Sequence, residues 1–305
     1  MKSRKLFGTD LEISPICLGT AGFGTRVDKD TAFSMLDLFL DAGGRLVDTA
    51  NIYARDKAKQ ISKSEEILGL YLKEHPNTEL TVATKGAHYD LTTKENRVNR
   101  KCIEADLDES LCTLGLDRID LYWLHRDDEN RPVEEIIDIM EDFVRKGKIA
   151  YYGASNYTVK RLAEAKTYAD RIGVKGFSAV SNYWTPLKEN AGHPLSADTT
   201  LVTCKNGDLS ALAELKLPLL PYSSTAKGWV AKGVGQASEK LNLCFDNAEN
   251  RAFREEIVKK SLAENCSVQT ALLRYMSALG DTAGLQLIPI TACSNLAQLD
   301  EIIKF

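Results

Sequence analysis

Residues 119–152 read IDLYWLHRDDENRPVEEIIDIMEDFVRKGKIAYY, and this stretch decides the fold class. It opens with a β-branched and aromatic run, Ile119 to Leu124, which predicts a buried strand. Apolar residues then recur at helical spacing after Pro132, a residue favoured in the first turn of a helix, and Gly147 ends that pattern. A second strand-like run begins at Ile149. A strand, a helix and a strand in this order predict a βαβ unit of a parallel sheet.

The same alternation continues in both directions along the chain. We predict further strands, each followed by a helical pattern, at Ile13 to Leu18, Arg45 to Asp48, Leu80 to Thr84, Phe177 to Val180, Leu217 to Pro221 and Leu285 to Ile290. Eight such units predict a (β/α)8 barrel, the TIM barrel, with long loops after strands six and seven. We interpret residues 1–305 as a single domain, because no linker or low-complexity tract divides them. A doubly wound open sheet is the alternative, but no GxGxxG follows the first strand.

Composition excludes several classes of protein. Hydrophobic residues make up 44% of the sequence and charged residues 27%, which is typical of a globular protein and excludes extensive disorder. The net charge of −4 gives no basic surface of the kind that binds nucleic acid. No apolar run could span a bilayer or serve as a signal peptide, so we expect a cytoplasmic protein without a membrane partner. The 7 cysteines are scattered, which predicts neither a disulfide framework nor a bound metal.

Four polar side chains follow consecutive predicted strands at the carboxyl end, where the active sites of such barrels lie. Asp48 ends the second strand, and Tyr53 follows it. Lys85 ends the third strand, and His125 follows the fourth. A phenol has a pKa of about 10, which a neighbouring ammonium would lower while Asp48 holds that ammonium in place. Since an imidazole can orient a substrate oxygen, the set suits proton transfer to a carbonyl oxygen while a hydride reaches the carbonyl carbon.

The sequence resembles the aldo-keto reductase superfamily in four stretches, which are DTANIY at 48–53, ATK at 83–85, DLYWLH at 120–125 and GKIAYYGASN at 147–156. This resemblance covers nearly the whole chain in the order of the family. It implies a (β/α)8 barrel that uses NADP(H), and less often NAD(H), to interconvert a small carbonyl compound and an alcohol. It also implies that Tyr53 is the general acid/base, tuned by Lys85 and Asp48. His125 is implied to orient the carbonyl.

The same resemblance implies which residues bind the cofactor. Ser155 and Asn156 match the pair that holds the nicotinamide carboxamide, and Tyr222 matches the aromatic ring that stacks on the nicotinamide. Ser181 and Asn182 stand where the family usually has a glutamine, so Asn182 is a candidate substitute. The remaining implied contacts are Gly19 and Thr20 after the first strand, Ser223, Ser224, Ala226, Lys227 and Gly228 around the pyrophosphate, and Ala292, Ser294 and Gln298 near the adenosine.

One departure from the family bears on the choice of cofactor. After the eighth strand the family often has a glycine and, two residues later, an arginine that grips the 2′-phosphate of NADP. Ala292 and Ser294 stand at those positions here. We therefore expect dual use of NADP(H) and NAD(H), or a small preference, with Lys227 and Lys304 as alternative sources of positive charge.

The nature of the substrate depends on which side chains line the mouth of the barrel. The long loops and the Asp127–Asp128 pair predict a polar mouth and a sugar- or polyol-related substrate. Trp184 and Trp229 would instead line an apolar pocket for an aldehyde, and His88 is a weaker candidate for that pocket than Trp229.

Two other functions stay open at this point. The first is a cofactor-binding regulatory protein with little turnover, resembling the potassium-channel β subunits. The second is a barrel isomerase or aldolase that uses Lys85 as a Schiff base, against which the neighbouring Asp48 and Tyr53 argue. The sequence indicates no particular oligomeric state.

Overall fold

The computed structural model describes residues 1–55 and 61–305. A short antiparallel hairpin, β1 (Arg4–Lys5) and β2 (Glu12–Ile13), precedes the central sheet. Within the described residues this sheet has seven parallel strands, which are β3 (Cys17–Gly19), β4 (Leu46–Asp48), β5 (Thr81–Gly86), β6 (Ile119–Leu124), β7 (Ile149–Ser155), β8 (Val180–Ser181) and β9 (Ile290–Thr291). They lie side by side in the order β8-β7-β6-β5-β4-β3-β9.

The sheet closes into a barrel through the segment around Leu219. Leu219 forms a parallel bridge to Val180 of β8 on one side and to Leu287 on the other. Its N–H also donates to the carbonyl oxygen of Gln286 at 2.9 Å. This segment is the predicted seventh strand, Leu217 to Pro221, and it completes the ring of eight strand positions. The (β/α)8 barrel is thus confirmed.

Helices follow the strands and cover the outside of the barrel. In chain order they are α1 (Lys29–Asp41), α2 (Lys63–Glu74), α3 (Arg100–Leu114), α4 (Val133–Arg145), α5 (Val159–Ile172), α6 (Asn206–Glu214), α7 (Trp229–Lys232), α8 (Glu239–Phe245), α9 (Ala248–Ala263), α10 (Val268–Ala283) and α11 (Leu296–Ile303). Local chemistry sets their ends. Asn99 caps α3 through its side chain, and Gly115, at φ 67°, ends it in the left-handed conformation. None of the helices among the described residues is long and apolar enough to cross a membrane.

The predicted first strand, Ile13 to Leu18, is wrong in detail. Ile13 belongs to the hairpin, where it pairs with Arg4, and the barrel strand begins only at Cys17. Pro15 stands between the two, and proline has no N–H with which to continue a ladder. The hairpin's apolar side chains pack with those of the barrel interior, so it covers the amino end of the barrel. The carboxyl end of the strands is left as the open mouth.

Both predicted long loops lie at this mouth. After β8, residues 182–205 contain no helix, as expected for the loop after strand six. The connection after strand seven is partly helical, because it holds a 3-10 turn (Ala226–Gly228), α7 and α8. The two loops therefore differ in character, although both supply residues to the rim.

Candidate active site

The structure brings the four predicted polar side chains together at the carboxyl end of the barrel. The Lys85 and Asp48 side chains are each 3% exposed, and Lys85 Nζ lies 2.5 Å from Asp48 Oδ2. Lys85 Nζ also donates to the carbonyl oxygen of Thr49 at 2.8 Å and to the Tyr53 hydroxyl at 3.2 Å. The ring of His125 stands edge-on to that of Tyr53, with 6.0 Å between the centroids. The four residues thus form one continuous group.

Parallel strand register explains this convergence. Asp48, the last residue of β4, pairs with Ala83 of β5, and Lys85 follows two residues later on the same face of that strand. Lys85 in turn pairs with Trp123 of β6, and His125 follows two residues after Trp123. Because alternate residues of a strand point to the same side, each of these side chains enters the barrel mouth.

Burial opposes the charges of the central ion pair. Burial lowers the pKa of Lys85, but the carboxylate of Asp48 and the phenol of Tyr53 outweigh this effect and hold the pKa above its ordinary value. Burial raises the pKa of Asp48, and the charge of Lys85 acts in the opposite direction. With both partners removed from water, each charge depends on the other.

The phenol of Tyr53 departs from the expectation drawn from sequence. Burial raises its pKa, and the charge of Lys85 offsets only part of that rise. The lowering that the ammonium was expected to produce is present, but it is smaller than the effect of burial. Tyr53 is therefore protonated at neutral pH and can act as a proton donor.

His125 is a neutral imidazole at physiological pH. Burial lowers its pKa well below the ordinary value, and the charges of Lys85 and Arg126 lower it further. Its Nδ1 is buried and, among the described residues, has no hydrogen-bond partner. Because Nδ1 is enclosed by the protein, we expect Nε2 to be the nitrogen that meets a substrate oxygen.

The pair expected to hold the nicotinamide carboxamide lies beside this group. The Ser155 hydroxyl donates to the carbonyl oxygen of Ser181 at 2.7 Å. The Tyr222 hydroxyl donates to Asn156 Oδ1 at 2.6 Å, which places the ring expected to stack on the nicotinamide next to the carboxamide pair. Four of the implied cofactor residues are thereby within one hydrogen-bonded cluster.

Asn182 lies beside the implied carboxamide pair and is bonded to its backbone. Its Oδ1 accepts the N–H of Asn156 at 2.7 Å, and its Nδ2 donates to the carbonyl oxygen of Tyr157 at 2.8 Å. These bonds hold Asn156 at φ 63°, a left-handed conformation that asparagine tolerates. Its amide is engaged by the backbone in this structure, and its role as a substitute for the glutamine stays a prediction.

The loop expected around the pyrophosphate has an unusual backbone. Ser223, Ala226, Lys227 and Gly228 have φ values of 52°, 51°, 51° and 84°. Successive residues in turn and left-handed conformations direct N–H groups into a concave site that suits anions. The Ser224 hydroxyl is buried and has no partner among the described residues, so a polar group of a ligand could satisfy it.

Positive charges converge on the same loop. Lys227 is an exposed residue, but partial enclosure of its ammonium, followed by the charges of Lys240 and Arg26, lowers its pKa. Arg26 comes from the loop after β3 and Lys240 from α8, so three separate elements contribute a cation. This arrangement is suited to a phosphate group.

Gly19 and Thr20 end the first barrel strand against its neighbours. A Cβ on Gly19 would lie 3.0 Å from Cγ2 of Ile290, so the glycine allows close packing of β3 on β9. The Thr20 hydroxyl donates to the carbonyl oxygen of Asp48 at 3.1 Å. Gly19 therefore sets the spacing of β3 and β9, and Thr20 holds the backbone of Asp48 in place.

The residues implied near the adenosine lie at the start of α11. Ala292, Ser294 and Gln298 are exposed, and the Ser294 N–H donates to Gln298 Oε1 at 2.8 Å. Lys304 lies beyond the opposite end of this helix and pairs with Asp300 at 2.6 Å. Lys304 therefore has a carboxylate partner of its own, and its part in binding a 2′-phosphate stays a prediction.

The two tryptophans expected to line the substrate pocket are fully buried. Trp184 and Trp229 are 1% and 0% exposed. Their indole N–H groups donate to Asn206 Oδ1 at 3.3 Å and to Asn242 Oδ1 at 3.0 Å, which satisfies them inside the protein. Both rings are core residues that anchor the long loops.

Polar residues surround His125 instead, and sequence analysis did not recognise them as a group. The His88 ring lies 4.8 Å from that of His125, so ranking Trp229 above His88 was wrong. Arg126 is 6% exposed, and its Nη2 donates to Asp198 Oδ2 at 3.0 Å. The sequence indicates their place only in that Arg126 directly follows His125 and that Asp198 lies in the long loop after β8. No group of His, Cys, Asp or Glu in residues 1–55 and 61–305 is arranged to hold a metal ion.

Comparison with known proteins identifies relatives with related chemistry. Norsolorinic acid reductase of Emericella nidulans is 34% identical over 189 residues, which cover 57% of this chain and 47% of the relative. The NADP(+) aryl-alcohol dehydrogenase of Phanerodontia chrysosporium is 29% identical over 196 residues, covering 58% and 49%. A putative aryl-alcohol dehydrogenase of Saccharomyces cerevisiae is 25% identical over 335 residues, covering 99% and 92%. The alignments with the first two relatives span about half of each relative's own length.

The family model described as "Aldo/keto reductase family" matches residues 15–305. The match begins just after the hairpin and includes every barrel strand and all four side chains of the central group. The chain therefore belongs to the aldo/keto reductase family, whose members are oxidoreductases that use NADP(H) or NAD(H).

Proposed function

We propose that this protein reduces an aldehyde or ketone to an alcohol, or catalyses the reverse oxidation, with NADP(H) or NAD(H) and with Tyr53 as the general acid. The observation that carries the proposal is the contact of one buried ammonium, Lys85 Nζ, with both Asp48 and the Tyr53 hydroxyl. The cofactor, when bound, supplies the hydride. Tyr53 donates its proton to the carbonyl oxygen, and His125 orients that oxygen through Nε2.

The residues at the mouth are of the right kind to hold a dinucleotide. Ser155 and Asn156 carry a hydroxyl and an amide, and they would bind the carboxamide by exchanging their present hydrogen bonds with Ser181, His125, Val202 and Tyr222. Tyr222 offers an aromatic face for the nicotinamide ring. The buried Ser181 and Ser224 hydroxyls, which have no partners among the described residues, are polar groups that a ligand could satisfy. The loop from Ser223 to Gly228, in which four residues have a positive φ, and the three cations that act on it suit the phosphates.

The side chains around His125 favour a polar substrate. His88, Arg126 and Asp198 all lie on that side of the mouth. Trp184 and Trp229, the candidates for an apolar wall, are buried. A hydroxylated, sugar- or polyol-related carbonyl compound is therefore the first candidate. The names of the relatives, which refer to aryl alcohols and norsolorinic acid, support an aromatic carbonyl compound as the second.

The proposal is tested by following the loss of NADPH or NADH absorbance with two sets of substrates. We expect turnover with both cofactors, and higher kcat/KM for hydroxyaldehydes than for benzaldehydes of similar size. A reaction confined to benzaldehydes would reverse the order of the substrate candidates. A protein that binds the cofactor but turns over neither set would instead be a cofactor-binding regulatory protein.

Replacing Ser294 by arginine should shift the cofactor preference towards NADPH. The exposed Ser294 occupies the position of the family's arginine, and an arginine there could form charge-assisted bonds to a 2′-phosphate. Such a contact contributes about 1.5–3 kcal/mol, or roughly 10- to 150-fold in relative affinity. The affinities would be measured by quenching of tryptophan fluorescence, with Ser294→Gln as an uncharged control. Equal behaviour of the two variants would show that residue 294 lies away from the phosphate.

A further inference from the structure

The ion pair between Arg126 and Asp198 lies directly beside the orienting histidine, because Arg126 follows His125 and donates to its carbonyl oxygen at 2.8 Å. The ring of His125 in turn stands edge-on to that of the proposed acid, Tyr53. We propose that Arg126 is a positioning residue whose charge acts through Tyr53 and His125, and that Asp198 sets how much of this charge they experience. The inference rests on the proposed function of Tyr53. It assigns a role to two residues that lie outside the central group.

Arg126 is held in place by several hydrogen bonds that its guanidinium donates. Its side chain is 8% exposed. Nη1 donates to the carbonyl oxygen of His125 at 2.8 Å, and Nε donates to the Thr200 hydroxyl at 2.7 Å. Nη2 donates to Asp198 at 3.0 Å, and the guanidinium carbon lies 5.6 Å from the ring centroid of Tyr89. A buried cation held this firmly exerts a constant field on its surroundings.

The central group lies within range of that field. After burial and Lys85, the charge of Arg126 is a further influence that lowers the pKa of His125, and it also acts to lower that of Tyr53. Several titratable or charged groups act on Tyr53 and His125, namely Lys85, Asp48, His88, Tyr222 and Arg126. Asp198 acts indirectly, as the partner of Arg126. In this set, the ammonium of Lys85 already has Asp48 as its counter-ion. Arg126 is the other cation, and its counter-ion lies on a loop.

Asp198 belongs to the loop after β8 and is more exposed than its partner, at 23%. Although burial raises its pKa, hydrogen bonds from Thr200 and Arg126 lower it to about 2, so the carboxylate is charged throughout the working range. The same loop contacts the implied cofactor site, because the Val202 N–H donates to Asn156 Oδ1 at 3.2 Å. The loop therefore supplies the neutralising charge together with part of the wall of the mouth.

Breaking the ion pair from its two ends separates charge from structure. Arg126→Gln removes the cation and leaves the negative charge of Asp198, which should raise the pKa of Tyr53. Asp198→Asn leaves Arg126 without its counter-ion, which should lower it. If the pair served only to fasten the loop, both variants would have the same effect.

The measurement is the pH profile of kcat/KM for carbonyl reduction, which requires protonated Tyr53 and therefore falls on the alkaline side. We expect this alkaline limb to move to higher pH in Arg126→Gln and to lower pH in Asp198→Asn, and the opposite signs of the two shifts are the expected result. Arg126→Lys, which keeps the charge but not the fork of donors, should keep the limb near its position in the unmodified protein.

A nearby ion pair provides the control, because the expectation that Asp127 lines the mouth is wrong: both of its carboxylate oxygens accept from Arg161 of α5. Asp127 pairs with Arg161 at 2.9 Å, and both side chains are largely buried, at 8% and 11% exposed. Asp127→Asn removes a comparable pair one residue further along, and it should leave the limb in place. Shifts of the same sign in Arg126→Gln and Asp198→Asn, or a limb that moves in neither, would overturn the inference. Loss of the proposed function would be recognised separately, by full turnover in Tyr53→Phe.

Discussion

Tyr53→Phe is expected to lower kcat for carbonyl reduction by about 10²–10⁴-fold, the usual contribution of a general acid. The substitution removes the only proton that the side chain can donate, while the ring keeps its shape and its edge-on contact with His125. Cofactor affinity should change little, because the implied carboxamide contacts come from β7 and from Tyr222. The expected result is thus a large loss of kcat with a nearly unchanged dissociation constant for NADPH.

A second tyrosine of the mouth serves as the control for this experiment. The Tyr89 hydroxyl donates to Asp198 Oδ2 at 3.3 Å, and no hydrogen bond joins it to Lys85. Tyr89→Phe therefore removes a hydroxyl from the same region without removing the proposed acid, and it should lower kcat far less than Tyr53→Phe. Undiminished turnover in Tyr53→Phe, measured by hydride transfer from NADPH, would exclude the proposed mechanism.

The central group could be predicted from sequence because regular structure positions it. Asp48, Lys85 and His125 each lie at or just beyond the end of a parallel strand, and the register of neighbouring strands brings such positions together in any barrel of this kind. Tyr53 follows Asp48 closely enough to share its place. The positions of such residues can therefore be predicted once the strands have been assigned in the sequence.

The surroundings of that group could not be predicted in the same way. Arg126 and Asp198 are 72 residues apart, and the path of an irregular loop decides that they meet. Trp184 and Trp229 looked equally suited to the pocket and to the core, and only the folded loops bury them. The balance of charge at Tyr53 was also hidden, because the degree of burial that outweighs Lys85 depends on the whole mouth.

The start of the barrel was mispredicted for a related reason. The run from Ile13 to Leu18 has the composition of one strand, and the sequence pattern does not reveal that its first residue pairs with Arg4. Pro15 is the signal that was available, since a proline is rarely found inside a central strand. Giving it more weight would have separated the hairpin from β3.

Removing one partner of the Lys85–Asp48 pair should lower the free energy of unfolding more than any other substitution proposed here. Lys85→Met leaves the carboxylate of Asp48, 3% exposed, without its counter-ion. Breaking a buried pair in this way costs about 3–5 kcal/mol, because an uncompensated charge is left out of water. Asp48→Asn should also destabilise the protein, since it leaves the ammonium of Lys85 buried. The free energy of unfolding would be measured in urea at neutral pH.

The double variant Asp48→Asn/Lys85→Met separates the cost of an unpaired charge from the cost of lost contacts. With both charges removed, no uncompensated ion stays buried, and we expect most of the stability to return although turnover does not. Lys304→Met breaks the exposed pair with Asp300, whose side chains are 65% and 51% exposed, and should change stability by less than about 1 kcal/mol. A double variant no more stable than Lys85→Met would show that the ammonium stabilises the fold mainly through its bond to the Thr49 carbonyl oxygen. Recovery of stability without recovery of turnover would mean that the charges of this pair are retained for the chemistry at Tyr53.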